Sequence, residues 1–332
     1  MIKSFFLIIL FSVFTQSLTA QFFEKVKYIF GNVDTNYVYK YPHRFIINPS
    51  FTIKNSNITV KDINNQGTTL VFKPNSPMKM GLVFAYKWAR LSMGFKIPSY
   101  LNNKGNTETF MLNLTLQTRV QNWGGDAYVI HNKGFYLSNP QSVISTWSDR
   151  QAYPFYNTMQ MLELGAFTYV IFSDRLSLKS ALQQNERQKT NAGGIAFQMG
   201  IKYTGLLTDP SFIPAAQKRF YLPLNETMKV GIMQMSFSPG YAYTFVYKYI
   251  FATSVANVGL GFQTVSYESG ISKGVLLDLT PKYKLQQIIG YNGDDAFVKL
   301  IFQYENTSFQ IENIKFLSNR FSFTLGGGLR FR

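Results

Sequence analysis

The chain has 332 residues, 46% hydrophobic and 17% aromatic but only 15% charged, and its 33 Lys and Arg outnumber 17 Asp and Glu for a formal net charge of +16. It contains no cysteine, which excludes disulfides, thiolate metal sites, cysteine nucleophiles and lipid attachment through an N-terminal thiol. The basic residues are scattered singly along apolar segments, with no run of five or more, so nucleic acid is not an expected partner despite the charge.

The first element is a leader. Lys3 precedes an apolar run, FFLIILFSVF over residues 5–14, and SLTA follows, ending in the small residue Ala20. This is the layout of a secretory signal peptide over 1–20, with cleavage expected between Ala20 and Gln21. The run is about half the length a spanning helix needs, which disfavours an anchor. No later stretch is long and apolar enough for a helical span. An exported chain this apolar, without spanning helices, has a lipid-facing barrel as its first destination.

From residue 44 onward the signal has period two. In 78–88, Met78, Met80, Leu82, Phe84, Tyr86 and Trp88 share one face, with Lys79, Gly81 and Lys87 opposite. The same pattern runs through 90–97, 108–120, 194–204 and 296–305, with weaker copies near 44–54, 125–137, 158–172, 175–185, 228–246, 248–263 and 275–288. These runs of about nine to thirteen residues exceed soluble sandwich strands and match a tilted strand crossing a bilayer. Aromatics gather near strand ends, as in interfacial girdles: Tyr86, Trp88, Tyr203, Tyr304 and Phe331. The expectation is an all-β fold: a transmembrane antiparallel up-and-down β-barrel of about 12 strands, with 14 the next choice. Residues 21–332 form one outer-membrane barrel domain on this reading. Tight turns are expected at 89–90, 122–126, 173–174, 247–249 and 318–319, and long loops at 99–107, 138–157, 205–226 and 264–273. Segments 66–73 and 308–317 are left open as strands. The last strand, FSFTLGGGLRFR, places Phe321, Phe323, Leu325, Leu329 and Phe331 on one face. Its glycine run reads as strand bending rather than phosphate binding.

Five stretches, YVYKYPHRF at 37–45, VFKPNSPMKMGLVFAYKW at 71–88, ALQQNERQKTNAGG at 181–194, SPGYAYTFVYKYIF at 238–251 and IIGYNGDDAFVKL at 288–300, resemble a family of exported β-barrels of Bacteroidota, domain of unknown function 4421. The resemblance implies a bacterial outer-membrane barrel, porin-like in architecture, and brings no activity with it.

Candidate chemistry is sparse. His43 begins the first strand and reads as a turn or interfacial histidine. His131 shares parity with Val129 and Lys133, expected to be the lumen face, and a barrel hydrolase would use it as base. No nucleophile-elbow signature or metal motif occurs, so no catalytic residue, metal or cofactor is expected. Asp294 and Asp295 read as a solvated turn. The polar cluster at 183–189 continues an expected strand whose Arg175, Lys179 and Gln183 face one way. Its Glu186, Arg187 and Lys189 read first as a solvated hairpin end that fixes register, with a constriction or ligand contact as the alternative. The lumen candidates are Arg119, His131, Glu163, Lys179, Gln183, Glu186, Arg187, Lys299 and Glu305. Lys79, Lys87, Arg90, Lys96, Lys133, Arg175, Lys202, Lys282, Lys284 and Arg330 join them on the polar faces, against few acids beyond Asp278. Such rings favour anions over cations, while residues at the rims could instead hold lipopolysaccharide phosphates.

The function expected is therefore a non-enzymatic outer-membrane protein with a basic lumen: a narrow channel, a small-solute binder or a structural protein. Its expected partners are outer-membrane lipid and lipopolysaccharide, the barrel-assembly machinery and small anionic solutes. The alternatives are a hydrolase working through His131, and a surface adhesin or assembly partner acting through loops 138–157 and 205–226.

Overall fold

A computed structural model describes residues 33–41, 45–64, 66–75, 78–86, 89–97, 104–117, 123–208, 212–221, 228–269, 273–311 and 313–331. The leader, His43, Lys87 and Arg119 lie outside the described residues. In chain order the strands and the single α-helix among the described residues are β1 (Val38–Lys40), β2 (Phe45–Asp62), β3 (Leu70–Lys73), β4 (Met78–Tyr86), β5 (Ala89–Lys96), β6 (Glu108–Gln117), β7 (Trp123–Leu137), β8 (Phe155–Phe172), α1 (Leu178–Leu182), β9 (Glu186–Gln188), β10 (Ala192–Thr208), β11 (Met228–Tyr247), β12 (Ile250–Ser269), β13 (Lys273–Asn292), β14 (Ala296–Ile311) and β15 (Ile314–Phe331).

Twelve of these strands, all but β1, β3 and β9, follow one another around a closed antiparallel sheet. Closure comes from β15 pairing with β2, from Phe331↔Phe45 to Ile314↔Asp62, which leaves the sheet without an edge. The expected count of 12 holds. Short β3 fills the gap between β2 and β7 beyond the ends of β4–β6, pairing Ile58–Val60 on one side and Tyr136–Leu137 on the other. β1 and β9 form a separate two-stranded ribbon.

The alternation is inverted relative to a soluble protein. Along β13, Val275, Leu277 and Leu279 are exposed outward, whereas Thr280 and Lys282 are buried inside. Along β4, Met78, Met80 and Leu82 point out and Lys79 points in. The apolar outer wall is the arrangement a barrel adopts against lipid.

Both ends of the interior are filled. At the end remote from the termini of the described residues (Val33 and Phe331), Phe72 of β3, Phe135 of β7, Met159 of β8, Phe316 of β15, and Phe212 and Tyr221 form one buried apolar core. At the end carrying the termini, the 173–191 connection places α1 and β9 against the sheet and against β1.

Beyond the tight turn expected at 122–126, whose residues 123–126 already belong to β7, three expectations change here. The segment 175–185 is not a strand, and 173–174 is not a tight turn. Leu178 and Leu182 are four apart, so they fit one helical face as well as one strand face. Ser177 at the N-cap accepts from the Ser180 backbone N–H at 3.3 Å, which favours the helix. Second, 318–319 lies inside β15: Asn319 pairs with Asn306 and Asn57, and the β14–β15 pairing runs up to Ile311 with Ile314. Polar residues that look like a turn in sequence here line the barrel interior. Third, β12 runs through most of 264–273, so that connection is short.

Candidate functional site

The interior between these two fillings is polar. Glu163, in the middle of β8, is 1% exposed. Arg320 of β15 donates to its Oε2, and Lys202 of neighbouring β10 lies 3.5 Å from its Oε1. Hydrogen bonds extend this layer. Lys282 donates to Thr307 Oγ1 at 3.1 Å and to the Asn306 carbonyl at 3.4 Å. Gln234 donates to Gln263 at 2.7 Å, and Gln263 to Asp278 and the Ser308 carbonyl, both at 2.9 Å. A buried ion pair survives desolvation only with such supporting bonds.

A second set of cations holds the α1 segment. A helix ends in carbonyls that lack intrahelical donors and carry partial negative charge. Arg90 Nη1 donates to the Leu182 and Gln183 carbonyls, both at 3.4 Å, and Lys299 Nζ also donates to Leu182. Arg330 Nε reaches the Gln184 carbonyl at 2.8 Å and its Nη1 the Gly293 carbonyl at 2.7 Å. Asn292 ties the segment to β13 by donating to the Glu186 carbonyl at 2.8 Å and to that of Ser180 at 3.2 Å. Within the segment, Ser177 donates to the Glu186 carboxylate, and the Gln188 side chain accepts from the Ser177 N–H at 3.0 Å. Arg187 forms a 2.8 Å ion pair with Asp294 and stacks between Tyr39 and Tyr249. Burial lowers the Lys179 pKa below its usual 10.5, with Glu186 opposing the shift and Lys40 adding to it.

Between the cross-barrel layer and α1 lies a cavity of about 390 Å³. Lys54, Lys79, Arg90, Lys202, Lys282, Lys284, Lys299 and Arg320 line it, against the acids Asp126 and Glu305. The hydroxyls of Ser50, Thr52, Ser322 and Thr324 line the wall beside Lys54, and Thr52 and Thr324 hydrogen-bond each other at 2.9 Å.

Of the residues expected in the lumen, Glu163, Lys299 and Glu305 face the interior, and the first two are buried. Lys179, Gln183 and Glu186 are buried too, but in the α1 segment rather than on a barrel strand, so these three are not a solvated hairpin end. Arg187 lies at its surface with Asp294. Arg119 falls outside the described residues. His131 is a correction: Asp126, Tyr128 and Ile130 of β7 face the cavity, and His131, of opposite parity, pairs with the outward Phe110. Lys133, on the same outer face, forms an exposed 3.9 Å pair with Glu108. Near that end the inner face is itself apolar, so polarity no longer separates lumen from exterior. Arg320 and Lys54 are interior residues not expected from the sequence. The signal for Arg320 was its parity with Ser322 and Thr324, hidden by the apparent turn before it.

A family model described as Domain of unknown function (DUF4421) matches residues 32–331. No curated protein matches the sequence. Among solved structures the chain is similar to the outer membrane protease OmpT from Escherichia coli, at 9% identity over 88% of this chain and 99% of that one, with a TM-score of 0.39. It is also similar to the P. putida toluene transporter TodX, at 8% identity over 88% of this chain and 91% of that one, with a TM-score of 0.29. The attachment invasion locus protein Ail of Yersinia pestis matches at 9% over 86% of this chain and 98% of its own, with a TM-score of 0.22. At such identities none of the three lends this chain an activity.

Proposed function

We propose that this chain, which belongs to the DUF4421 family, is a bacterial outer-membrane barrel with a closed lumen, a structural or small-solute-binding protein rather than a channel or an enzyme. The leader over 1–20 directs export, and the barrel end that carries Val33 and Phe331 is then the periplasmic one. Residues 104–107, 138–154 and 212–221 then lie at the end facing outward from the cell, as long barrel loops do. The apolar outer wall supports membrane insertion. So does the ring of exposed Tyr86, Trp123, Tyr241, Tyr247, Tyr249 and Tyr291 toward the terminus-bearing end, where an interfacial girdle belongs.

The observation that carries the closed-lumen reading is the Arg320–Glu163 pair across the interior, with an apolar core on one side of it and α1 on the other. A conducting path would have to cross the apolar core and α1 and pass beside the pair between them. The hydrolase alternative rests on His131, and an outward histidine is not available to the interior polar groups. Reconstitution in a planar bilayer tests the reading. Silence at steady voltage is expected, and a sustained current from the intact protein would overturn it.

A further inference from the structure

The cavity above α1 holds more positive charge than the barrel neutralises. Glu163 is already shared by Arg320 and Lys202. Glu305 stands opposite Lys284 in the β13–β14 register. Lys299 and Arg90 are turned to α1 carbonyls. Lys54 and Lys79 form no direct ion pair or hydrogen bond among the described residues, Glu163 acting on both only from a longer distance, and Lys79 is only 2% exposed.

The sheet register brings these cations together. Arg320 pairs with Ser56, two residues from Lys54 on β2, and Lys79 pairs with Thr52, two residues from Lys54 on the other side. Arg320, Lys54 and Lys79 therefore form a diagonal across β15, β2 and β4, with neighbours at the separation of diagonal cross-strand pairs. Small residues flank it: Gly81 adds no side chain, and Ser50, Thr52 and Thr324 line the cavity with hydroxyls.

We propose that this diagonal is a binding site for a small multivalent oxyanion of the phosphate class, free or as the phosphate group of a small solute. Two ammonium groups with flanking hydroxyls suit a tetrahedral anion that accepts several charge-assisted hydrogen bonds at once. A single ligand with two negative charges neutralises Lys54 and Lys79 together. The low-dielectric walls make that neutralisation count for more than it would on an open surface. The cavity exceeds what a bare phosphate ion fills, leaving room for a small substituent. The inference rests on the closed-lumen reading, but binding is read in detergent by a method indifferent to conduction, so an open pore and an empty site are separate failures.

The test uses the full chain in detergent micelles at constant ionic strength, with chloride replaced stepwise by orthophosphate or by glycerol 3-phosphate. Thermal unfolding midpoints are followed for the parent protein, for the pair Lys54→Met with Lys79→Met, and for Lys315→Met, whose lysine is exposed on β15. A saturable rise is expected for the parent and for Lys315→Met. The lysine pair should shift the half-saturating concentration upward by at least about tenfold, the equivalent of losing one good charged contact. Generic salt stabilisation acts on all three proteins alike and cancels. A response to orthophosphate alone identifies the free ion, and a stronger response to the ester identifies a phosphorylated solute. Phosphorus NMR line broadening with the single variants gives the same reading should the double variant fail to fold. No saturable response in the parent, or an unchanged half-saturation in the lysine variants, would overturn the site.

Discussion

Arg320 on β15 and Glu163 on β8 meet across the whole width of the barrel, on strands six places apart in either direction around the twelve-stranded sheet. Each residue alone is an ordinary inward position. Together they tie opposite walls, and Lys202 joins them from β10. Glu163→Gln leaves two buried cations without their counter-charge, and the expected loss is about 3–5 kcal/mol. Adding Arg320→Met removes one orphaned charge and should restore part of that loss. Equilibrium unfolding in micelles checks this, and a double variant less stable than Glu163→Gln would contradict the pairing.

The two faces of one strand give a sharper contrast. Leu114 of β6 is exposed outward, and its neighbour Thr115 is buried toward the cavity, where it pairs in register with Asp126. Leu114→Arg should cost roughly 2–4 kcal/mol in a bilayer, where a lipid-facing charge is penalised by depth. Thr115→Arg sets its guanidinium beside Asp126 and should be milder. Heat-modifiable gel mobility reports both, and equal effects would reverse the face assignment.

How much of this was legible in the sequence follows from which physical signal each part obeys. The wall obeys period two: β4, β5 and β6 match the expected runs closely, and β10 and β14 contain theirs but run several residues further. Glu163, Lys299 and Glu305 were found by the same parity. Parity failed where a second structure fills the barrel. At 175–185 the leucine spacing fits helix and strand alike, and the Ser177 cap decides between them. At His131 the interior is turning apolar, so a polar residue no longer marks the lumen. The meeting of Arg320 with Glu163 depends on closure between the first and last wall strands, which no local pattern encodes.

The α1 segment should respond to pH through Lys179. Its pKa is lowered, chiefly by burial. The unfolded segment therefore binds a proton more readily than the folded one between the lowered value and 10.5. Stability of the segment is fully present above 10.5 and is lost as pH falls through the lowered value. Hydrogen exchange over 178–184, corrected for intrinsic rate, should slow as pH rises toward 10.5, and Lys179→Met should remove that dependence. An unchanged slope in Lys179→Met would assign it to another group.

Conduction should require that two barriers fail together. Lys299→Met with Arg330→Met releases two of the cations that hold carbonyls of the α1 segment, so the filling at the α1 end loosens. The apolar core beyond Glu163 remains, however, and the double variant should stay silent in a planar bilayer. Phe72→Ala attacks that core. Phe72 is fully buried and packs edge-on against Phe212 and Tyr156, with ring centroids 5.2 and 5.5 Å apart. Its loss should cost about 3–5 kcal/mol and leave a void, but with α1 in place this variant too should carry no steady current. The three substitutions combined open both ends, and a small current is expected. Lys54, Lys79 and Lys282 would still line the path, so that current should prefer anions, read from the reversal potential in a salt gradient. Current from either partial variant would mean that its remaining barrier does not seal. Cation preference in the triple variant would place the lysines away from the path.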